Sequence, residues 1–296
     1  MKEIITTEYD GCLLRNYILG KCKISHKLLT RLKAREDGIL LNGQRVTVRS
    51  TLRENDVLEL NFNDIEGSDI PPVKTDVIPD ILFENEDLII LNKPPFMPTH
   101  PSHNHYSDTL ANAVAYIFSE RGISIKFRAI TRLDRNTSGA TLIAKNAKSA
   151  AILSSMMEKG MIEKKYLAIC TGSLPDSFTV NKPICRERES IITRIVCEEG
   201  FGQSAVTYFE KICEHGNKTL LSVTPVTGRT HQIRVHLKHF GHPIIGDELY
   251  GEESEEIKRQ ALHACELTLK FPDGSILSVK APLFPDMKAL FPLYKD

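Results

Sequence analysis

Residues 132–139 read Arg-Leu-Asp-Arg-Asn-Thr-Ser-Gly, with one carboxylate, Asp134, between Arg132 and Arg135. A neighbouring cation favours the ionised form of an aspartate, so Asp134 is expected to carry its charge at neutral pH. A fixed carboxylate of this kind can serve as a nucleophile or as a general base. Taken alone, the stretch reads equally well as a turn closed by a structural ion pair. A second stretch, residues 227–243, is rich in histidine and arginine, and two chemistries compete there. His231, His236, His239 and His242, with His100, His103 and His105 upstream, are possible metal ligands. The five-residue spacing of His231 and His236 puts them on different helical faces, and no glutamate lies within the motif, unlike a zinc-binding H-E-x-x-H helix. No metal site is assigned. The alternative is that Arg229 and Arg234 grip a phosphate or a carboxylate through their planar forks.

The elements around these residues set where they point. The apolar runs at 128–131 and 140–145 predict strands on either side of the 132–139 loop, with Gly139 allowing a sharp turn. From Thr230 as N-cap, a helix places His231 and Arg234 three apart on one face and turns Ile233 and Leu237 to the core, with Gly241 as its stop. Another helix begins after Asp108 as N-cap, with Leu110, Val114, Ile117 and Phe118 on one face, and a third spans 146–160. Residues 164–172 and 220–228 predict strands, and 267–282 a hairpin around Pro272-Asp273-Gly274. Helices and strands mix without strict alternation and hairpins recur, which predicts an α+β class on a mixed, largely antiparallel sheet rather than a doubly wound one.

At 296 residues, 41% hydrophobic and 26% charged, the chain has the make-up of a soluble protein of two domains. No apolar run is long enough to span a bilayer, and the N-terminus lacks the apolar core of a secretory signal, so a cytoplasmic protein without membrane contact is expected. Seven scattered cysteines with no C-x-x-C pair fit reduced thiols. The net charge of zero hides a segregation. Residues 11–53 hold ten basic side chains against two acidic ones, Glu36 and Asp37. Local charge decides what a surface attracts, because salt confines exposed charges to roughly 8 Å.

That basic segment predicts two short helices, the second beginning at Ser25 with Lys27, Arg31 and Lys33 on its exposed side, then a hairpin at Asn42-Gly43. The order resembles an S4 RNA-binding domain, which implies RNA contacts from Ser25, Lys27, Arg31 and Lys33. A small basic α/β domain whose lysines only confer solubility is the plainer reading. Residues 63–79, with three prolines, predict an extended linker. The organisation expected is therefore 1–62, S4-like; 63–79, linker; and 80–296, catalytic.

Four stretches in order, RLDRNTSG, KKYLAICTG, GRTHQIRVH and GDELYG, resemble those of RluA-type pseudouridine synthases; LNKPPFMPTHP upstream and LHACELTL downstream match as well. The resemblance implies the pseudouridine synthase fold and an isomerase that needs no cofactor. It also implies a role for each matching residue. Asp134 corresponds to the catalytic aspartate, and Arg132 to the arginine that takes the place of the displaced base. Tyr166 corresponds to the tyrosine that stacks on the flipped uracil, and Arg234 to the arginine that pairs with the aspartate. Ile233 lines the base pocket. The family usually has histidine where Thr131 stands, which implies altered RNA contacts rather than lost chemistry. Ribosomal RNA of the large subunit is the preferred substrate, transfer RNA the alternative, and a monomer the expected state. A non-catalytic RNA-binding or ribosome-assembly factor of the same fold ranks second, and a metal-dependent hydrolase third.

Overall fold

The computed structural model describes residues 1–292 and 294, except 23, 25, 62–69 and 188–191; the side chain of Lys27 is also outside the description. Ser25, Lys27 as an RNA contact, and the first part of the expected linker therefore lie outside the described residues.

The N-terminal unit contains β1 (Lys2–Ile4), α1 (Leu14–Gly20), α2 (His26–Lys33), β2 (Ile39–Leu41), β3 (Gln44–Arg45) and β4 (Val57–Leu60). Its described strands form one antiparallel sheet in the order β1-β4-β2-β3. Leu14, Tyr17 and Ile18 of α1, and Leu28, Leu29 and Leu32 of α2, recur at helical spacing and close over this sheet as one core. Asn42 and Gly43 both take left-handed φ (53° and 76°), the two-residue turn that an antiparallel hairpin requires. Leu13 precedes the first helical turn and is 45% exposed. Ala147 and Ala151, from the helix after the site loop, pack against the same core, so this unit leans on the larger one.

The larger unit runs through β5 (Asp80–Glu84), β6 (Leu88–Lys93), α3 (Leu110–Ser119), β7 (Ser138–Ala144), α4 (Ala147–Glu158), β8 (Ile162–Thr171) and β9 (Ser177–Asn181). It continues through β10 (Ile184–Arg186), β11 (Arg194–Val196), β12 (Val206–His215), β13 (Lys218–Pro225), α5 (Gln232–His239), β14 (Leu262–Lys270), β15 (Ile276–Lys280) and α6 (Pro285–Leu290). The main sheet is ordered β5-β6-β7-β14-β8-β13-β12-β9, with β15 beside β14. All pairings are antiparallel except β7 with β14, which run parallel over His263–Ser138 and Ala264–Gly139. The class is α+β on a mixed sheet, as expected. Gly139 marks the closest approach: its φ is +116°, and a Cβ there would lie 2.3 Å from the Ala264 carbonyl oxygen.

Three local expectations are corrected. The strand expected at 128–131 is only a bridge, Ala129 to Ile143, because β14 occupies the same edge of β7 and the chain must bend into the loop. The cap of α3 is Thr109, not Asp108. Thr109 and Asn112 cap each other's backbone amides, while Asp108 pairs with His105. The cap of α5 is His231, not Thr230, and it sits in the left-handed region at φ 58°. The described part of the linker is not free: Thr75 is buried, and the Pro71 carbonyl accepts from the Asn112 amide at 3.1 Å.

Candidate active site

The loop carrying Asp134 is fixed through its backbone. The Leu133 carbonyl accepts from Thr99 Oγ1 (2.9 Å), that of Arg135 from Lys93 Nζ (3.1 Å), and that of Asn136 from Arg259 Nη1 (3.2 Å). Lys93 and Arg259 are both fully buried. Lys93 also donates to the carbonyls of Pro94 and Met97, each at 2.8 Å, and Arg259 is paired with Asp286. Burial pushes the Lys93 amine down to about 7, while Asp134 acts in the opposite direction. A polar loop thus gains the rigidity that a site for chemistry needs.

Asp134 projects half-buried into a cavity of about 440 Å³ between this loop, β8 and the N-terminus of α5. Its Oδ2 accepts from Arg234 Nη1 at 3.0 Å. The far side of the same guanidinium donates from Nε and Nη2 to the two oxygens of Asp247, both at 2.7 Å. Burial alone would lower the Arg234 pKa, but the two carboxylates outweigh it and raise it, so this cation does not titrate. Its carbon end lies 4.9 Å from the Tyr250 ring centre. Arg132 and Arg135, which flank Asp134 in sequence, are exposed and do not pair with it; its partner comes from a hundred residues downstream.

Tyr166 and Lys164 alternate by two on β8 and so face the cavity together. Burial, with Asp134 adding to it, raises the Tyr166 pKa and keeps the phenol protonated. Burial lowers that of Lys164. Ile233, from the first turn of α5, is buried and lines the cavity, and Arg132 stands exposed at its mouth. The structure thus brings Asp134, Arg132, Tyr166, Ile233 and Arg234 to one cavity. Arg31 and Lys33 are exposed on α2 and do not line it. Thr131 turns inward, where its hydroxyl accepts from the Leu142 amide at 2.9 Å.

Sequence reasoning missed Lys93, Asp247 and Tyr250. Asp247 and Tyr250 lay within GDELYG with no role attached. A lysine inside an apolar strand that ends at two prolines was the available signal for Lys93. Of the histidines, His236 is buried between Thr207 Oγ1 (2.9 Å) and the Lys182 carbonyl (3.1 Å), and His231 alone reaches toward Asp134. Among the described residues no group of three or more His, Cys, Asp or Glu is placed to hold a metal. No helix among them is long and apolar enough to cross a membrane.

The profile of the family described as RNA pseudouridylate synthase matches residues 87–239. The chain belongs to the RNA pseudouridylate synthase family. It is therefore an isomerase. This synthase is 38% identical over 274 residues to the uncharacterized RNA pseudouridine synthase YjbO of Bacillus subtilis, covering 92% of this chain and 95% of that one. It is 30% identical to ribosomal large subunit pseudouridine synthase D of Haemophilus ducreyi, over 88% of this chain and 80% of the relative. Among solved structures, human RNA pseudouridylate synthase domain containing 1 matches with a TM-score of 0.58 and 26% identity, over 71% of this chain and 86% of that one. The family match ends before Asp247 and β14, so the buried partner of Arg234 lies outside the matched segment.

Proposed function

We propose that this synthase converts specific uridines to pseudouridine in structured RNA, with large-subunit ribosomal RNA as its substrate and Asp134 as its catalytic carboxylate. The observation that carries this reading is a half-buried carboxylate, aimed into an open cavity by a non-titrating arginine and faced by a buried tyrosine. The names of the relatives favour ribosomal RNA over transfer RNA.

The reaction breaks the uracil N1–C1′ bond, rotates the base and joins C5 to C1′. C5 loses a proton and N1 gains one, with no net oxidation and no group carried away. A stacked uridine must first leave its helix, at a cost of a few kcal/mol. Arg132, at the mouth, fills the vacated space, and Tyr166 stacks on the extruded base. Asp134 then acts either as nucleophile or as general base, and both roles need the same aim and charge from Arg234. Ile233 and Tyr166 keep water from the detached base.

The N-terminal unit supplies a second RNA contact through the exposed Arg31 and Lys33, in the manner of an S4 domain, and tethering it beside the catalytic unit raises its effective concentration at the same RNA. The test is to map pseudouridine in total RNA from cells carrying wild-type protein, Asp134→Asn protein, or none. The expected result is a site in large-subunit ribosomal RNA that disappears in the last two. A site lost from transfer RNA instead would reassign the substrate, and no lost site in any RNA would overturn the reading.

A further inference from the structure

We propose that His231 is a further catalytic residue, whose Nε2–H donates a hydrogen bond to the uracil 2-carbonyl oxygen as the N1–C1′ bond breaks. This rests on the reading of the cavity as a uridine site. Its Nε2 lies 3.8 Å from Asp134 Oδ2, too far for a direct hydrogen bond but beside the place where the sugar carbon must meet the carboxylate. Of the two carbonyl oxygens of uracil, O2 is the one next to N1, so it is the one that comes within reach.

The partners of the ring assign its tautomer. Nδ1 lies 2.8 Å from Tyr250 Oη, which already accepts from the Arg194 amide, also at 2.8 Å. Tyr250 is buried, and among the described residues its phenolic hydrogen has one acceptor in range, the Nδ1 lone pair. A hydrogen left without an acceptor there would carry the cost of a buried unsatisfied donor. Tyr250 therefore donates to Nδ1, and the ring proton sits on Nε2, facing the cavity. Burial lowers the His231 pKa, with Arg234 and Arg194 reinforcing and Asp134 and Asp247 opposing, so the ring is neutral at neutral pH. A neutral donor suits this place, since it stabilises a forming anion without engaging Asp134 as a second cation would.

The backbone is arranged for the same purpose. His231 occupies left-handed φ/ψ (58°, 18°), a region uncommon for residues other than glycine and costly unless the surroundings hold it. The next residue holds it. Gln232 Oε1 accepts from Thr227 Oγ1 (2.7 Å) and the Arg229 amide (3.0 Å), and its Nε2 donates to the Val206 carbonyl and Thr207 Oγ1, each at 2.9 Å. This four-bond clamp holds the turn that swings His231 over Asp134. When the glycosidic electron pair moves onto the base, negative charge spreads over N1 and O2, and a preset donor there stabilises it. No proton changes hands; the hydrogen bond only strengthens.

The experiment has two arms. In wild-type protein, ¹⁵N-histidine NMR is expected to show His231 neutral, with Nδ1 unprotonated and Nε2 protonated; a proton on Nδ1 overturns the proposal whatever any variant does. In the second arm, large-subunit ribosomal RNA made with [5-³H]uridine is assayed for tritium release in single turnover, alongside filter binding. His231→Ala is expected to slow release roughly 10²-fold with RNA affinity within threefold, the scale of one lost transition-state donor. His231→Gln, which keeps an N–H donor, is expected to recover most of the rate. An Ala rate within twofold of wild type, or a Gln variant no better than Ala, overturns the role of His231. If those results accompany an inactive Asp134→Asn protein, the uridine-site reading stands without it. Wild-type protein that releases no tritium from this RNA or from transfer RNA labelled in the same way defeats both.

Discussion

Asp247 holds Arg234 by two 2.7 Å hydrogen bonds on the side away from Asp134, and is itself fully buried. Arg234 thus bridges one carboxylate closed off from solvent and one open to the cavity. Removing one member of a buried pair strands the other's charge, at a cost of about 3–5 kcal/mol. Asp247→Asn is expected to lose stability on that scale in urea unfolding. Tritium release should fall as well, because the guanidinium that aims Asp134 loses its anchor. Wild-type stability and rate in this variant would show that Arg234 needs no second carboxylate.

Tyr166 lines the cavity, and its phenol stays protonated. Stacking on an aromatic ring contributes about 1–3 kcal/mol per base. Tyr166→Leu fills much of the same volume without the ring. The expected result is a rate between about 5-fold and 150-fold lower, with RNA binding little changed. Retention of the full rate would remove Tyr166 from the base contact.

Lys93 makes stability depend on pH in a direction opposite to that of a partner-stabilised lysine. Its folded pKa is depressed to about 7, whereas an unfolded lysine titrates near roughly 10.4. Between those values the unfolded chain binds more protons, so this residue makes stability rise with pH across that window. The difference in unfolding free energy between wild type and Lys93→Met is expected to shift in favour of wild type from pH 7 to pH 10. A gap that stays flat would mean that Lys93 titrates alike in both states.

Arg31 and Lys33 are exposed and distant in sequence from every residue of the cavity. Each phosphate contact contributes about one unit to the slope of log affinity against log salt, or somewhat less on single strands. A protein with both residues changed to alanine is expected to bind ribosomal RNA more weakly, with a slope shallower by about one to two units. Its single-turnover rate at saturating enzyme should match wild type. Substitution is preferable to deletion of the unit, which would uncover Ala147 and Ala151 of α4. An unchanged salt slope would leave this helix without an RNA role.

What the sequence could show was set by locality. The 132–139 loop was legible because an apolar run follows it, and its pairing with Arg234 came from the resemblance of the two stretches to a known family rather than from spacing. The two misplaced caps share one cause. Asp108 and Thr230 are good capping residues next to better-placed neighbours, and the choice depends on backbone angles. Lys93 was missed for a different reason: its apolar strand hinted at burial, but a lysine reads as solvated until three carbonyls are seen to converge on it. Asp247 and His231 act on partners 13 and 97 positions away, Arg234 and Asp134, separations that local spacing does not measure.

The short parallel pairing of β7 with β14 joins Ser138 and Gly139 to His263 and Ala264, across most of the larger unit. As the chain leaves the ribosome, the loop that bears Asp134 emerges long before the strand that aligns its far end. A nascent protein halted before Leu262 is expected to be inert in the tritium assay, however complete its family-matched segment. The order of synthesis would thereby keep the isomerase silent until that strand has emerged and paired.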